Sequence, residues 1–243
     1  MAYREKVTTF CSLKRASFAA LCLLCLLSLL GLSGLAASAH AGSLVAVAGD
    51  RDGQGLLNVV ISLKPVGVAA PAAVPETITV TQENLTFKPY ISVIRKGSSV
   101  VFANRDTVEH HIKSFSSSRP FEIAVHKPGD TPPPIRFDSE GAIVAYCILH
   151  DWMRAYVYIA DTPWYGMSNA TGSTRIENLP AGEYEVTAWH PDLGQFKPPL
   201  TTKVTVPATG TATATFKFEF KPRPIRQAPR TSGVKTADAH HHH

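Results

Sequence analysis

At 243 residues the chain is long enough for one large domain or two small ones. An apolar share of 44% supports a buried core, while 18 prolines, 16 glycines and only 18% charged residues point to many short strands rather than long helices. The net charge of +5 sits at the ends: residues 1–41 carry four basic and one acidic side chain, residues 221–243 carry five and one, and the body between them is about −2. That distribution excludes a nucleic-acid surface as the meaning of the basic balance.

The first 41 residues read as a signal peptide. Arg4, Lys6, Lys14 and Arg15 precede an apolar run from Phe18 to Leu35, and Ala39-His40-Ala41 is a small-x-small cleavage pattern before Gly42. Export across the inner membrane to the periplasm is the expectation. Left uncleaved, the run is long enough to act as a membrane anchor. Cys11, Cys22 and Cys25 lie in this segment, so the mature chain keeps Cys147 alone. A single thiol in an oxidising compartment has no internal disulfide partner and reads as a ligand or reactive group.

From Gly42 onward the pattern is β. Leu44–Val47 and Leu57–Leu63 are strand-like runs joined by the turn-rich stretch 49–55. Residues 65–75 form a Pro/Ala/Val/Gly linker without charge. Strands follow over Thr77–Val80, Tyr90–Ile94 and Ser99–Asn104, then a polar corner at Asn104-Arg105-Asp106, then His110–Phe115. Residues 116–136 read as a surface loop with one short strand at Phe121–Val125, and His126 in it reads as solvated. Ala142–Tyr146 delivers Cys147, and Ala155–Ala160 is the next strand. Further strands are expected over Thr174–Leu179, Tyr184–Trp189, Thr202–Val206 and Ala212–Phe218, with 221–243 disordered and ending in four histidines that are left out of the site. No segment after Leu35 holds a helical period, and none carries a phosphate loop, a G-x-S-x-G or an H-E-x-x-H motif.

The informative stretch is Tyr146-Cys147-Ile148-Leu149-His150-Asp151-Trp152-Met153. It places a thiol, an imidazole and a thioether at spacings of three and three, the side chains a soft, redox-active copper ion prefers. A second imidazole is available upstream at His110 or His111. Successive strand residues point to opposite faces, so only one of that pair can face the same point.

Residues 77–162 resemble the blue copper (cupredoxin) family, nearest to plastocyanin, pseudoazurin and amicyanin. Phe87-x-Pro89, Val93, Gly97, Val100, Phe102 and Asn104-x-Asp106 look like its first strands, His110 falls at its first histidine ligand, and Cys147-x-x-His150-x-x-Met153 looks like its ligand loop, short as in amicyanin. The resemblance implies a Greek-key β-sandwich and one type 1 copper site held by His110, Cys147, His150 and Met153. It implies Asn104 as a support of the corner, Tyr146 as a second electron route and a redox protein as partner. Two positions depart from it: His111 stands where plastocyanins commonly have a loop-holding Asn, and Asp151-Trp152 stands where amicyanin-like loops have Pro and an aromatic residue.

The flanks, 42–64 and 163–220, resemble two halves of a carboxypeptidase-regulatory or transthyretin-like sandwich, with the copper domain at 76–162 inserted into it. The expected fold class is therefore all-β, a cupredoxin sandwich with a second small β-sandwich formed by the flanks. His190 reads as a loop residue of that scaffold. The expected function is single-electron transfer by an exported copper protein, not catalysis. The alternatives are a copper-handling or sensing module, and an adhesion protein using metal only for stability. A multicopper enzyme needs extra histidine pairs, and the body holds only His110, His111, His126, His150 and His190.

Overall fold

The computed structural model describes residues 41–72, 74–194 and 197–225. The expected signal segment, apart from Ala41, and the four terminal histidines lie outside them. Within the described residues the regular structure is all strand apart from one short 3-10 turn at Pro191–Leu193.

Two strands open the chain, β1 (Gly42–Gly49) and β2 (Val60–Pro65). The excursion that follows holds β3 (Thr77–Glu83), β4 (Thr86–Lys88), β5 (Ile91–Arg95), β6 (Ser99–Asn104), β7 (His110–Ser114), β8 (Phe121–His126), β9 (Ile135–Arg136), β10 (Gly141–Cys147) and β11 (Arg154–Ala160). The chain then returns through β12 (Tyr165–Met167), β13 (Ser173–Leu179), β14 (Gly182–Trp189), β15 (Leu200–Val206) and β16 (Thr211–Lys217).

The sheets sort these strands by origin. One sandwich pairs the sheet β13-β1-β16 with the sheet β12-β2-β14-β15, so strands from both ends of the chain build it. The other sandwich pairs β4-β3-β6-β9 with β5-β11-β10-β7-β8, all from the excursion. Each has its own core. Leu44, Ile61, Leu63, Val186 and Phe216 fill the first; Phe87, Phe102, Ile112, Phe137, Ile143 and Val157 fill the second. Strand alternation explains the sorting: Ile143, Ala145 and Cys147 of β10 point into the second core, and Val144 points out.

The outward face of β10 and β11 is apolar too. Val144, Tyr156, Tyr158 and Ala160 pack there against Val60 and Trp189 of the first sandwich. Trp189 lies 5.7 Å from the Tyr156 ring and 5.5 Å from that of Tyr158. β2 is accordingly buried on both faces, Ile61 and Leu63 inside its own sandwich and Val60 against the other.

Two expectations change, and one strand was not anticipated. Residues 121–126 are the edge strand β8, paired with β7, and His126 is buried rather than solvated because that pairing turns it beneath Asn104 and Gln82. Residues 221–225 are ordered onto the scaffold: Arg223 donates from its amide and its Nε to the Asp192 carboxylate, at 2.7 and 2.8 Å. The strand β12, with Gly166 packed tightly against Thr174, was not legible as a strand because it is three residues long.

Candidate metal centre

β7 alternates in and out along its length. His110, Ile112 and Ser114 are buried, while His111 and Lys113 face outward to the Glu122 carboxylate. β10 pairs with β7 so that Cys147 lies opposite Ile112, which puts the thiol one step along the same inner face from His110. The chain then leaves β10 in a tight loop. The amide of Ile148 donates to the His111 carbonyl, that of Met153 to His150, and that of Cys147 to Met153. The last bond, 3.1 Å long, ties the two ends of the loop together.

These constraints bring three donors to one point. Cys147 Sγ is 3.5 Å from His110 Nδ1 and 3.4 Å from His150 Nδ1, and the three ligand atoms lie within 4.8 Å of one another. Donors bonded at about 2.0–2.3 Å to one ion at trigonal angles sit about 3.7 Å apart, so the spacing fits an ion between them. Met153 is buried in the same core cluster as Cys147. Thiolate, two imidazoles and a thioether are the donor set suited to copper. His111, His126 and His190 are not part of the group.

The corner before β7 prepares His110. Asn104 is fully buried and bonded on every side: its Nδ2 donates to the carbonyls of Val108 and His126, and its Oδ1 accepts from the Asp106 amide at 2.9 Å. The corner thereby turns the Asp106 carboxylate toward the far edge of the His110 ring, 3.0 Å from Nε2. A proton held on Nε2 by the carboxylate leaves Nδ1 as the lone-pair donor facing the thiol. Burial pushes the His110 pKa below its ordinary value, and Asp106 opposes that without cancelling it. Burial thus favours the neutral imidazole, the form able to bind a metal.

Other predicted residues sit as follows. Tyr146 faces the opposite side of the sheet from Cys147, beside Phe115 at 6.5 Å between rings. His126 places Nε2 2.7 Å from Gln82 Oε1, with its ring 6.4 Å from that of His110. His190 is buried against Phe218 and Phe220 on the scaffold, where its Nδ1 accepts from the Asp192 amide at the 3-10 turn. Around His150, Ile148 and Leu149 are about half exposed.

Sequence reasoning missed Asp106 as a partner of His110, and missed Leu85, whose amide donates to Asp106 Oδ2 and whose carbonyl accepts from the Trp152 indole. The Asp106 spacing was visible, but only the turn at Asn104 aims the carboxylate. Nothing in the type of residue 85 signals a role carried by its main chain.

No protein-family model matches the chain, and none of the curated proteins does. Among solved structures, a purple cupredoxin from Nitrosopumilus maritimus is 23% identical over 34% of this chain and 98% of its own, with a TM-score of 0.31. A mutant of amicyanin in its Cu(I) form is 17% identical, covering 41% of this chain and 97% of its own, with a TM-score of 0.32. A copper-containing nitrite reductase from Thermus scotoductus is 25% identical over 40% of this chain, with a TM-score of 0.33, and the match spans only 25% of that enzyme's length. The excursion from β3 to β11 is a β-sandwich of two facing sheets, ordered β4-β3-β6-β9 and β5-β11-β10-β7-β8, with His110, Cys147 and His150 gathered together.

Proposed function

We propose that the chain is an exported type 1 copper protein that takes one electron from a redox protein and passes it to another. The observation that carries the reading is the meeting of Cys147 Sγ with two imidazole Nδ1 atoms at 3.4 and 3.5 Å. Copper, when bound, supplies the one-electron couple. The chain's own residues do the rest: β7 and β10 hold His110 and Cys147 rigidly, Asp106 fixes the tautomer of His110, and Met153 stands in the buried core as the weak fourth donor. A donor set that does not rearrange between two oxidation states suits fast transfer. His150 is the ligand nearest solvent, and Ile148 and Leu149 give it an apolar rim on which a protein partner can exclude water.

Export to the periplasm, with cleavage before Gly42, belongs to the same reading. So does the role of the outer sandwich as a scaffold enclosing the copper domain. Mass spectrometry of the protein recovered from the periplasmic fraction is expected to find Gly42 at the N-terminus.

The decisive test is a copper(II) titration followed by visible absorption. The expected result is an intense band near 600 nm, the approximate region of thiolate-to-copper charge transfer, saturating at one equivalent and lost in Cys147→Ala. A band that survives Cys147→Ala overturns the ligand assignment. A colourless protein that retains only copper(I) replaces electron transfer with copper handling.

A further inference from the structure

Leu85 lies in the turn between β3 and β4 with φ +57°, and Asn84 beside it has φ +55°. They are the two loop residues of the hairpin that pairs Glu83 with Thr86, a turn that takes positive φ at both positions. Asn tolerates that conformation, whereas a leucine in it costs roughly 1–2 kcal/mol, and Leu85 is held there by further bonds. The Leu85 amide donates to Asp106 Oδ2 at 2.9 Å, the same oxygen that faces His110 Nε2. The Leu85 carbonyl accepts from the Trp152 indole at 3.1 Å. Trp152 belongs to the ligand loop, and its ring lies 5.4 Å from that of His150. One residue therefore touches, through its two main-chain groups, the support of each imidazole. The contacts run in a continuous path, His110–Asp106–Leu85–Trp152–His150.

We propose that this turn is a clasp, with Asp106 and Trp152 as positioning residues that hold the two imidazoles in register with each other. It rests on the copper reading above only for its purpose, because its bonds are made by the protein alone. His111 sends its side chain outward to Glu122, and its carbonyl accepts from the Ile148 amide of the ligand loop. The clasp gives Trp152 a reason to be in the loop.

The signature of a clasp is reciprocity. The two imidazoles already touch edge-on, with ring centroids 4.9 Å apart, so a disturbance can pass directly between them; what a clasp adds is that cutting the Trp152 bond on the Leu85 carbonyl also loosens the Leu85 amide on Asp106. The test is NMR on the metal-free protein, reading the ring signals of His110 and His150 and the hydrogen exchange of the amides of residues 85, 147 and 153, in Trp152→Phe, Asp106→Asn and Leu85→Gly. Trp152→Phe keeps an aromatic ring and removes the indole donor. The expected result is a shift of the His110 ring signals, although residue 152 adjoins His150, and loop-amide exchange faster by roughly five- to tenfold, the equivalent of one net hydrogen bond. Asp106→Asn is expected to shift His150 in turn. Leu85→Gly keeps both main-chain groups and suits the left-handed φ, so it retains the coupling. With copper(II) bound, Trp152→Phe is expected to alter the band shape near 600 nm rather than abolish it.

Unchanged exchange of the Leu85 amide in Trp152→Phe, or changes confined to the near imidazole in both Trp152→Phe and Asp106→Asn, overturns the clasp. So does a Leu85→Gly variant as disturbed as Trp152→Phe, since that assigns the effect to the Leu85 side chain. If the unsubstituted protein develops no visible band with copper, the copper reading fails and the metal-free result still decides the clasp.

Discussion

Buried imidazoles take their charge state from their surroundings, and burial favours the neutral form of two in this protein. His190 is buried at the scaffold's 3-10 turn, and its Nδ1 accepts from the Asp192 amide. Desolvation lowers its pKa, outweighing the nearby Asp192 carboxylate. The unfolded chain binds a proton near the ordinary value of about 6.5, while the folded chain resists it. The stability from this group is therefore present above that value and is lost as pH falls through it toward the folded value. Thermal unfolding of the metal-free protein is expected at a lower temperature at pH 5 than at pH 7.5, and His190→Gln is expected to flatten that slope. The core residues respond to volume instead. Phe102 is fully buried, edge-on to Phe87 at 6.3 Å and beside Phe121 at 5.7 Å. Phe102→Ala should cost about 3–5 kcal/mol in denaturant unfolding, as large aromatic truncations do.

At the scale of elements, the tightest joint is where the β12–β13 connection crosses the end of β1. The Ala48 amide donates to the Gly172 carbonyl at 2.8 Å. Gly172 has φ +78°, and a Cβ there would meet the Ala48 carbonyl oxygen at 2.1 Å. Gly210 is equally left-handed, at φ +98°, but nothing lies within 4 Å of its would-be Cβ. The pair separates crowding from backbone strain. Gly210→Ala is expected to cost about 1 kcal/mol, the strain alone; Gly172→Ala should cost about 2–5 kcal/mol, because backbone must also move. Equal losses in chemical denaturation would show that the approach of Gly172 to β1 is relaxed cheaply.

For the whole molecule the question is what joins the two sandwiches. Lys64 reaches across to Glu140 and Asp161, but all three side chains are well exposed. Exposed pairs of this kind contribute under about 1 kcal/mol each. The apolar contact contributes more: Trp189 is 5% exposed between Tyr156 and Tyr158, with Val60 alongside. Trp189→Ala is therefore expected to destabilise the protein by about 3–5 kcal/mol, while 1 M salt changes its stability little. Because the outer face of β10 and β11 is separate from the face bearing Cys147, the copper(II) band should keep its position in Trp189→Ala. A shifted band would mean that the scaffold shapes the site.

Much of this was carried by the chain itself. Alternation in Ile143–Cys147 and in His110–Ser114 fixes which side chains share an inner face, because the strand period is two whatever the neighbours are. The Cys147-x-x-His150-x-x-Met153 spacing likewise announces a compact loop with three soft or borderline donors. What the tertiary structure decided is everything carried by direction and by main chain. His126 looked solvated because its neighbours are polar and proline-rich, yet β8 pairs with β7 and buries it. Asp106 looked like a turn residue until Asn104 aimed it at His110, and Leu85 contributes an amide and a carbonyl that every residue but proline possesses. Side-chain identity is written in a sequence. The path that brings a backbone group to a distant partner is set only when the sheets have closed.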